Sequence, residues 1–226
     1  MTYIIAEAGT NHAHFDLAER IKRGGDLIGA AFLAGANAVK FQAFFHGEDL
    51  FCPFEGDEKR WPRWLDSELC EDTWCDLAWG AKKLGIDLLL SVFQPRGIEL
   101  LKRLKPRWVK VASRAAASFP YGKVEGFFLV SMKEPAPSRP LHSRLYCVPE
   151  YPTPLGKARW GTAFEGLSDH SGTVWPGLDA IFRGAKFLEV HFNIPGCDAG
   201  PDAPVCLTVE QLKLLCEARD AAAQMR

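Results

Sequence analysis

The chain has 226 residues, of which 47% are hydrophobic and 24% are charged, so it can bury a substantial core without disulfides. Its 27 Lys and Arg residues balance 28 Asp and Glu residues, which excludes the broad basic surface that nucleic-acid binding needs. The apolar stretch from Leu27 to Asn37 is far shorter than the ~20 residues that cross a bilayer. We therefore expect one globular domain, residues 1–226, with no nucleic-acid or membrane partner.

The amino terminus and the cysteines indicate a cytoplasmic location. Met1 and Thr2 lead into a short apolar run that meets Glu7, without the basic region and long hydrophobic segment of a signal peptide. The seven cysteines are scattered, odd in number and free of any Cys-x-x-Cys pair, which argues against a disulfide framework and a zinc ribbon. We expect them to be reduced.

Short apolar runs alternate with amphipathic stretches along the chain, and their periodicity predicts strands and helices respectively. The predicted strands are Tyr3–Ala8, Ala36–Phe44, Ile86–Phe93, Arg107–Ala112, Gly126–Ser131, Arg144–Val148, Phe164–Ser168 and Lys186–Phe192. The predicted helices are Phe15–Ala34, Glu71–Leu84, Gly97–Leu104, Val174–Arg183 and Thr208–Ala223, the last capped by Thr208. Eight strands with intervening helices predict an α/β fold, the (β/α)₈ TIM barrel.

Two connections are too rich in proline for a normal helix. Met132–Ser143 contains Pro135, Pro137 and Pro140, and Glu150–Ala163 leaves room for only a turn of helix. We therefore expect reduced helices after strands five and six. A doubly wound open sheet is the alternative fold, but the first strand is not followed by a Gly-x-Gly-x-x-Gly motif.

The segment Phe45–Leu69 is the only long irregular insertion in the predicted pattern. An insertion of this length after a barrel strand is typical of a lid over an active site. Its Phe54, Trp61 and Trp64 equally suit a satellite core, and this second interpretation is the one we favour.

Polar side chains alternate with apolar ones on several predicted strands. In strand two Lys40 and Gln42 share one face, and in strand eight Glu189 and His191 do the same. Inward-facing charges are costly unless they pair or bind a ligand, and barrel active sites form at the carboxyl ends of strands. Any one of them taken alone suits a structural ion pair, but their joint placement predicts a site. Its strand-borne members are Glu7, Lys40, Gln42, Lys110, Glu189 and His191.

Two histidines stand at neighbouring strand ends. His170 follows strand seven and His191 ends strand eight, so both imidazoles can converge on one divalent cation. Ordinary hydrogen-bonded histidines are the alternative, and His12 is either a further site residue or a turn residue. Cations and hydroxyls at the same strand ends suit a phosphate or carboxylate, although serines also cap turns. These are Lys40, Lys110, Ser91, Ser113 and Ser168.

Six strings occur in order along the chain, namely Ala6–His12, Ala38–Gln42, Val109–Ser113, Glu150–Pro154, Gly166–His170 and Glu189–Phe192 with the following Gly200–Asp202. Together they resemble the sialic acid synthase family, whose members condense phosphoenolpyruvate with an N-acylated amino sugar to a nonulosonic acid. The resemblance covers roughly Ile4 to Leu214 and implies a TIM-barrel transferase of carbohydrate biosynthesis.

The resemblance also implies roles for individual residues. His170 and His191 would hold a divalent metal, Mn²⁺ or Mg²⁺, beside the reacting sugar. The substrate-binding set that it implies is Lys40, Ser91, Lys110, Ser113 and Ser168, to which we add Asp202. The catalytic set is Glu7, Lys40, Gln42 and Glu189.

The chain departs from the family pattern at several places. The family has Gly-Glu after the serine of strand four, whereas this chain has Arg114 and Ala115, so a carboxylate that handles protons is missing. Pro149 replaces a Ser or Asn that contacts the ligand. The C-terminal antifreeze-like domain of most members is also expected to be absent.

Three functions therefore stay open. The first is a phosphoenolpyruvate-dependent synthase, which we favour because the histidine pair and both lysines survive together. The second is another aldolase or lyase of 2-keto acids on the same barrel. The third is a non-catalytic relative that binds a metal or a sugar phosphate. A homodimer is a candidate assembly, since the thinned helical ring would leave apolar surface to cover.

Overall fold

The computed structural model describes residues 1–135 and 140–225, and within them eight parallel strands form one sheet. The strands are β1 (Tyr3–Gly9), β2 (Ala38–Ala43), β3 (Asp87–Val92), β4 (Trp108–Val111), β5 (Phe127–Met132), β6 (His142–Cys147), β7 (Gly166–Asp169) and β8 (Phe187–His191). All eight predicted strands are thus confirmed, with their ends shifted by a few residues. Their number and spacing follow from the short buried runs of the sequence.

The sheet curves into a nearly closed barrel. β1 pairs with both β2 and β8, although the two partners lie at opposite ends of the chain. From β8 the ladder continues through β7, β6 and β5 to β4, while β2 pairs with β3 on the other side. β3 and β4 face each other where the two ends of the sheet meet. The fold is therefore the predicted TIM barrel and not an open doubly wound sheet.

Six α-helices lie among the described residues, and none of them is both long and apolar enough to span a membrane. They are α1 (Leu17–Leu33), α2 (Trp61–Ser67), α3 (Glu71–Leu84), α4 (Pro95–Leu104), α5 (Trp175–Phe182) and α6 (Val209–Gln224). Asp16 caps α1, and Thr208 and Gln211 form a capping box on α6. The predicted helices are confirmed, and α2 is an additional one inside the expected irregular insertion.

The helical ring is incomplete on one side. The described residues between β5 and β6 and between β6 and β7 contain no helix, as the prolines predict. Pro137 of that prediction lies outside the described residues. After β4 the chain likewise forms only two 3₁₀ turns, Ser113–Ala115 and Tyr121–Lys123, a reduction that the predicted fold did not include.

Strand alternation divides the barrel interior into layers. Successive residues point to opposite faces, so positions two apart on one strand stack along the barrel axis. The layer near the amino ends of the strands is apolar and consists of Ile5, Ala38, Leu89, Leu129, Leu145 and Phe187. The next inward position on the same strands carries Glu7, Lys40, Ser91, Ser131, Cys147 and Glu189. The upper half of the barrel is therefore polar, and this half faces the carboxyl ends of the strands.

A substitution at Gly166 tests how tightly β7 and β8 are packed. A Cβ atom at this position would lie 2.4 Å from the Phe187 carbonyl oxygen, too close for any real contact. Gly166→Ala should therefore lower the free energy of unfolding by about 1–3 kcal/mol, as measured by urea denaturation.

Gly29→Ala provides the control, because Gly29 lies in α1 and has no neighbour within 4 Å of an added Cβ. That change should be neutral or stabilise the protein by up to about 1 kcal/mol. Equal effects of the two substitutions would contradict the packing described for β7 and β8.

Candidate active site

A cavity of about 550 Å³ opens at the carboxyl ends of the strands. This volume lies within the roughly 300–1,000 Å³ that is typical of small-molecule sites. In the part of the chain that the structure describes, seven strands each contribute a polar or thiol side chain to its floor: Glu7, Lys40, Lys110, Ser131, Cys147, Ser168 and Glu189. The cavity is therefore the direct result of the polar layer in the upper barrel.

Four charged side chains form a row of contacts across this floor. Lys40 Nζ lies 2.7 Å from Glu7 Oε2 and 3.8 Å from Glu189 Oε1. Lys110 Nζ lies 3.3 Å from Glu189 Oε2. The four side chains are between 1% and 5% exposed. Because positive and negative charges alternate along the row, each buried charge lies beside an opposite one, which reduces the cost of its burial.

Burial and neighbouring charges act differently on these four groups. Burial raises the pKa of Glu7 above its ordinary value, and Lys40 offsets this only in part. Burial acts on Glu189 in the same direction, but Lys110 and Lys40 hold its pKa below the ordinary value. Burial lowers the pKa of Lys110, whereas Glu189 and Glu7 raise the pKa of Lys40 despite burial. Glu7 is therefore the carboxyl group of this row that takes up a proton first.

Hydroxyl groups hold the ends of the charged side chains. Lys40 donates to Ser91 Oγ at 3.1 Å, and Lys110 donates to Ser131 Oγ at 2.9 Å. The hydroxyl of Ser168 donates to the carboxylate between the two lysines, at 3.1 Å. Ser91 is buried behind its lysine and does not line the cavity, so it positions the ammonium group and does not face a ligand.

His170 and His191 lie side by side at the rim of the cavity. Their ring centroids are 5.2 Å apart, and the ring planes are inclined by 69°. His170 Nδ1 lies 2.9 Å from the Val148 carbonyl oxygen, so we assign the proton to Nδ1 and the lone pair to Nε2. Burial, aided by His191, lowers the pKa of His170 to about 3, so its ring is neutral near pH 7. His191 Nδ1 lies 3.7 Å from Asp202 Oδ2.

Tyr151 covers this histidine pair. Its ring stacks on His170 at a centroid distance of 4.2 Å and meets the edge of His191 at 5.7 Å. The Tyr151 hydroxyl lies 3.1 Å from His170 Nε2 and donates to that nitrogen. The tyrosine thus occupies the lone pair that a metal ion would use.

The donor set fits an open metal site with two protein ligands. Neutral imidazoles are common ligands of divalent ions, and catalytic sites leave further positions to water and substrate. The Val148 carbonyl orients His170 as outer partners of metal-bound histidines do. Within residues 1–135 and 140–225 no group of three or more His, Cys, Asp or Glu side chains could hold an ion. Binding through His170 therefore requires the Tyr151 hydroxyl to turn away.

The insertion at residues 45–69 forms the outer wall of the cavity. Trp64 stacks on Phe44 with centroids 4.3 Å apart, and Phe44 stacks on Phe93 at 4.8 Å. Trp64 is buried in the hydrophobic core, whereas Phe54 is 54% exposed, and both line the cavity. The insertion is therefore packed as a satellite core, as expected, and at the same time covers part of the opening.

Two arginines fasten this insertion to the barrel. Arg114, in the loop after β4, lies 2.6 Å from Asp57 and donates to the Cys52 carbonyl oxygen at 2.7 Å. On the opposite side Arg63, in α2, lies 3.0 Å from Asp198 in the loop after β8. The outer wall is thus held at both edges by ion pairs to the loops of other strands.

The structure brings nearly all of the predicted site residues to this one cavity. Ser91 is the exception and lies behind the wall. The predicted residues that line the cavity are Glu7, Lys40, Gln42, Lys110, Ser113, Ser168, His170, Glu189, His191 and Asp202. What these residues do chemically stays a prediction.

Several residues that line the cavity were not predicted from the sequence. Ser131 and Cys147 follow the inward-facing Leu129 and Leu145 by two positions, so the alternation that selected Lys40 would also have selected them. Burial raises the pKa of the Cys147 thiol, which keeps it protonated. Arg63 in α2, and Arg114 and Tyr151 in loops, lie outside the strands, so the strand alternation gives no signal by which the sequence could place them.

His12 and Ala115 lie outside the cavity wall. The His12 ring is fully buried against Phe41 and Trp74, and its Nε2 lies 2.8 Å from the Ser67 carbonyl oxygen. His12 is therefore the turn residue of the two alternatives. Ala115, in the loop after β4, is buried, whereas its neighbour Arg114 lines the cavity.

A barrel with a polar cavity at the carboxyl ends of its strands is the architecture of a TIM-barrel enzyme. The sequence profile of the NeuB family matches residues 27–123 and 143–226, and the chain belongs to this family. The N,N'-diacetyllegionaminic acid synthase of Campylobacter jejuni is 28% identical in an alignment 255 positions long, gaps included, that covers 95% of this chain and 74% of that protein. The N-acetylneuraminate-9-phosphate synthase of Drosophila melanogaster is 26% identical in an alignment 253 positions long that covers 94% of this chain and 66% of that protein.

Solved structures are similar to this fold. The N-acetylneuraminic acid synthetase of Leptospira borgpetersenii, determined with citrate, has a TM-score of 0.78 at 20% identity and covers 99% of this chain and 84% of its own. A truncated 3-deoxy-D-arabino-heptulosonate 7-phosphate synthase of Thermotoga maritima has a TM-score of 0.65 at 13% identity. The match covers 99% of this chain and 87% of that structure. At these identities the structures establish the shared fold.

Removing one member of the buried charge row should be far more costly than removing a surface charge. Lys40→Met leaves Glu7 buried without its nearest cation, so we expect a loss of about 3–5 kcal/mol in the free energy of unfolding. The double variant that adds Glu7→Gln should recover part of this loss, as measured by urea denaturation at pH 7.

Lys22→Met is the matched control, because Lys22 lies 2.8 Å from Asp26 in an exposed ion pair. Its effect on the free energy of unfolding should be much smaller than that of Lys40→Met, because an exposed ion pair contributes little to stability. If the effects of Lys40→Met and Glu7→Gln simply add in the double variant, the two buried charges do not depend on each other and the account of the row is wrong.

Proposed function

We propose that the chain is a phosphoenolpyruvate-dependent synthase of a nonulosonic acid, with an N-acyl amino sugar or a related aldose as acceptor. The observation that carries this proposal is the convergence of Lys40, Lys110 and the His170–His191 pair on one cavity in a NeuB-family barrel. The names of the Campylobacter and Drosophila relatives, both of them synthases of such acids, support the reaction class.

The floor of the cavity suits the two anionic groups of phosphoenolpyruvate. Lys40 and Lys110 present ammonium groups, and Ser113 and Ser168 add hydroxyls beside them. Charge-assisted hydrogen bonds of this kind are the usual means of holding phosphate and carboxylate. Glu189 lies between the lysines, and its negative charge favours the ammonium form of both: it raises the pKa of Lys40 and opposes the lowering of the Lys110 pKa by burial.

The reaction needs a new carbon–carbon bond and the loss of phosphate. C3 of phosphoenolpyruvate bonds to the aldehyde carbon of the open-chain acceptor, whose oxygen takes up a proton. Water adds to C2, which has lost the electrons of its double bond to C3, and gives up one proton. The bond from C2 to the phosphate oxygen then breaks with its electron pair leaving on phosphate, and the new hydroxyl loses its proton to become the keto group. A divalent ion, when bound, would supply Lewis-acid polarisation of the aldehyde. His170 and His191 are the residues that would hold it.

The remaining polar groups act near the acceptor. Glu7 accepts a hydrogen bond from Gln42 at 3.4 Å, and both side chains line the cavity above Lys40. We assign to Glu7 the proton that the aldehyde oxygen takes up, since general acids act from within hydrogen-bond reach of the reacting atom. Asp202, beside His191, we assign to the hydroxyls of the sugar.

The proposal also includes the expected location, domain organisation and assembly of the protein. We place the protein in the cytoplasm, as one domain over residues 1–226, and as a homodimer. Ala115, where the sialic acid synthase pattern has Glu, leaves Glu7 and Glu189 as the carboxyl groups of the cavity floor. The acid–base work would therefore fall to Glu7.

The synthase proposal predicts phosphate release that depends on an acceptor. The protein with phosphoenolpyruvate, Mn²⁺ and a panel of N-acyl hexosamines should release phosphate with at least one of them, measured by a coupled phosphate assay. Lys110→Met should abolish release and weaken phosphoenolpyruvate binding in calorimetry by about 10-fold or more, because a hydrogen bond to a charged group is worth about 1.5–3 kcal/mol.

Lys102→Met is the control for charge, because Lys102 lies in α4 and forms an exposed pair with Glu99. It should bind phosphoenolpyruvate as the unchanged protein does. No phosphate release with any acceptor would overturn the synthase and favour a binding protein, whereas cleavage of a 2-keto acid in its place would favour the lyase.

The histidine pair predicts binding of one Mn²⁺ per chain. His170→Ala should weaken Mn²⁺ binding by at least about 100-fold, more than the loss of an outer partner costs, as followed by the electron paramagnetic resonance of free Mn²⁺. Tyr151→Phe removes the hydroxyl that competes for His170 Nε2, so it should bind Mn²⁺ at least as tightly as the unchanged protein.

His46→Ala, at an exposed position of the insertion, serves as the control histidine and should not alter binding. Equal Mn²⁺ occupancy in His170→Ala and in the unchanged protein would show that the pair is not the metal site.

A further inference from the structure

The outer wall of the cavity is rich in cations. Lys59, Arg60 and Arg63 come from the insertion, and Arg114 comes from the loop after β4. These four side chains line the cavity above the floor that holds Lys40 and Lys110. The carboxylate of Glu58, next to Lys59 in the same turn, does not line it.

Two of the four cations are already neutralised by ion pairs. Arg114 pairs with Asp57, and Arg63 pairs with Asp198 while its Nε donates to Thr10 Oγ1 at 2.8 Å. Both guanidinium groups are only 16–18% exposed. These contacts fix the position of the wall and leave little positive charge for a ligand.

The other two cations have no such partner. Lys59 and Arg60 are exposed, and within residues 1–135 and 140–225 no carboxylate forms an ion pair with either side chain. Their backbone is held in place nevertheless, because Asp57, which Arg114 binds, begins the 3₁₀ turn that ends at Lys59. Two positive charges outside any close ion pair thus lie at the mouth of the cavity, where Arg60 also helps to lower the pKa of the Asp57 carboxyl.

The charges on the floor do not need these two cations. Glu7 and Glu189 lie beside Lys40 and Lys110, so the four side chains of the floor balance one another. Asp202, beside His191, is the other carboxylate that lines the described cavity, and it is outnumbered by Lys59 and Arg60. A ligand that reaches from the floor to the mouth therefore meets a net positive charge at its outer end. An anionic group satisfies both side chains, and the planar guanidinium of Arg60 can bind it in a bidentate manner.

We infer that the acceptor of the proposed reaction carries an anionic group, a phosphate or a carboxylate, at the end remote from its reacting carbonyl. Lys59 and Arg60 are the residues that recognise this group. The inference rests on the proposed synthase function and adds the class of acceptor to it. Lys59 and Arg60 act on binding and hence on specificity, and they have no part in the covalent steps.

Steady-state kinetics with matched acceptors tests this inference. An N-acetylhexosamine, its 6-phosphate and the corresponding 6-carboxylate differ only in the remote group, and the last two distinguish the sources of the charge. The unchanged protein should show a kcat/KM at least about 10-fold higher for one of the charged acceptors, and this advantage should shrink as salt is added.

The double variant K59A/R60A should lower the kcat/KM ratio of charged to neutral acceptor by about 10-fold, mainly through KM. The variant R60K alone should retain part of that ratio, because it keeps the charge and loses the bidentate geometry. K82A/K83A removes two exposed lysines of α3 that do not line the cavity, so it should leave the ratio unchanged.

Calorimetry with the 6-phosphate alone separates the two possible failures. No phosphate release with any acceptor, together with 6-phosphate binding that K59A/R60A weakens, would overturn the synthase while retaining the anion subsite. Release that is equally efficient with neutral and charged acceptors, or a ratio unchanged in K59A/R60A, would overturn the subsite and leave the synthase standing. If no acceptor supports phosphate release, and if 6-phosphate binding does not depend on Lys59 and Arg60, both the synthase and the anion subsite are overturned.

Discussion

The buried row of Glu7, Lys40, Glu189 and Lys110 is the constraint on which the rest of this structure depends. Four charges inside a barrel are tolerable only while each lies beside its opposite, so the strands that carry them must keep their register. The register in turn places the serines of the floor and the histidines of the rim. The fold and the site are therefore held by the same contacts, and a change in one charge alters the other three.

Strand alternation explains how much of this could be predicted from the sequence. Each strand is short and buried, so a step of two residues leads from an apolar inward position such as Ile5 to a polar one such as Glu7. That regularity predicts Lys40, Gln42, Glu189 and His191 from the sequence alone. It covers Ser131 equally well, because Ser131 follows the inward-facing Leu129 by two positions.

The mouth of the cavity could not be predicted in the same way. The side chains of Arg63, Arg114 and Tyr151 reach the cavity from the short helix of the insertion and from two loops, where the strand period does not predict their direction. Their positions depend on partners distant in the chain, as the Arg114–Asp57 pair shows. The 3₁₀ turns after β4 and the helix inside the insertion belong to the same class, because tertiary contacts decided them. The specificity of the site depends on the residues at the mouth of the cavity. It is therefore harder to predict from the sequence than the chemistry of the floor.

The central claim is that the balanced charge row receives phosphoenolpyruvate between its two lysines. A crystal structure of the protein with phosphoenolpyruvate tests this most directly. The account predicts the phosphate and carboxylate groups within hydrogen-bond distance of Lys40 Nζ and Lys110 Nζ, with Glu189 still between the lysines. Phosphoenolpyruvate found elsewhere, or a floor that stays free of it at saturating concentration, would contradict the account.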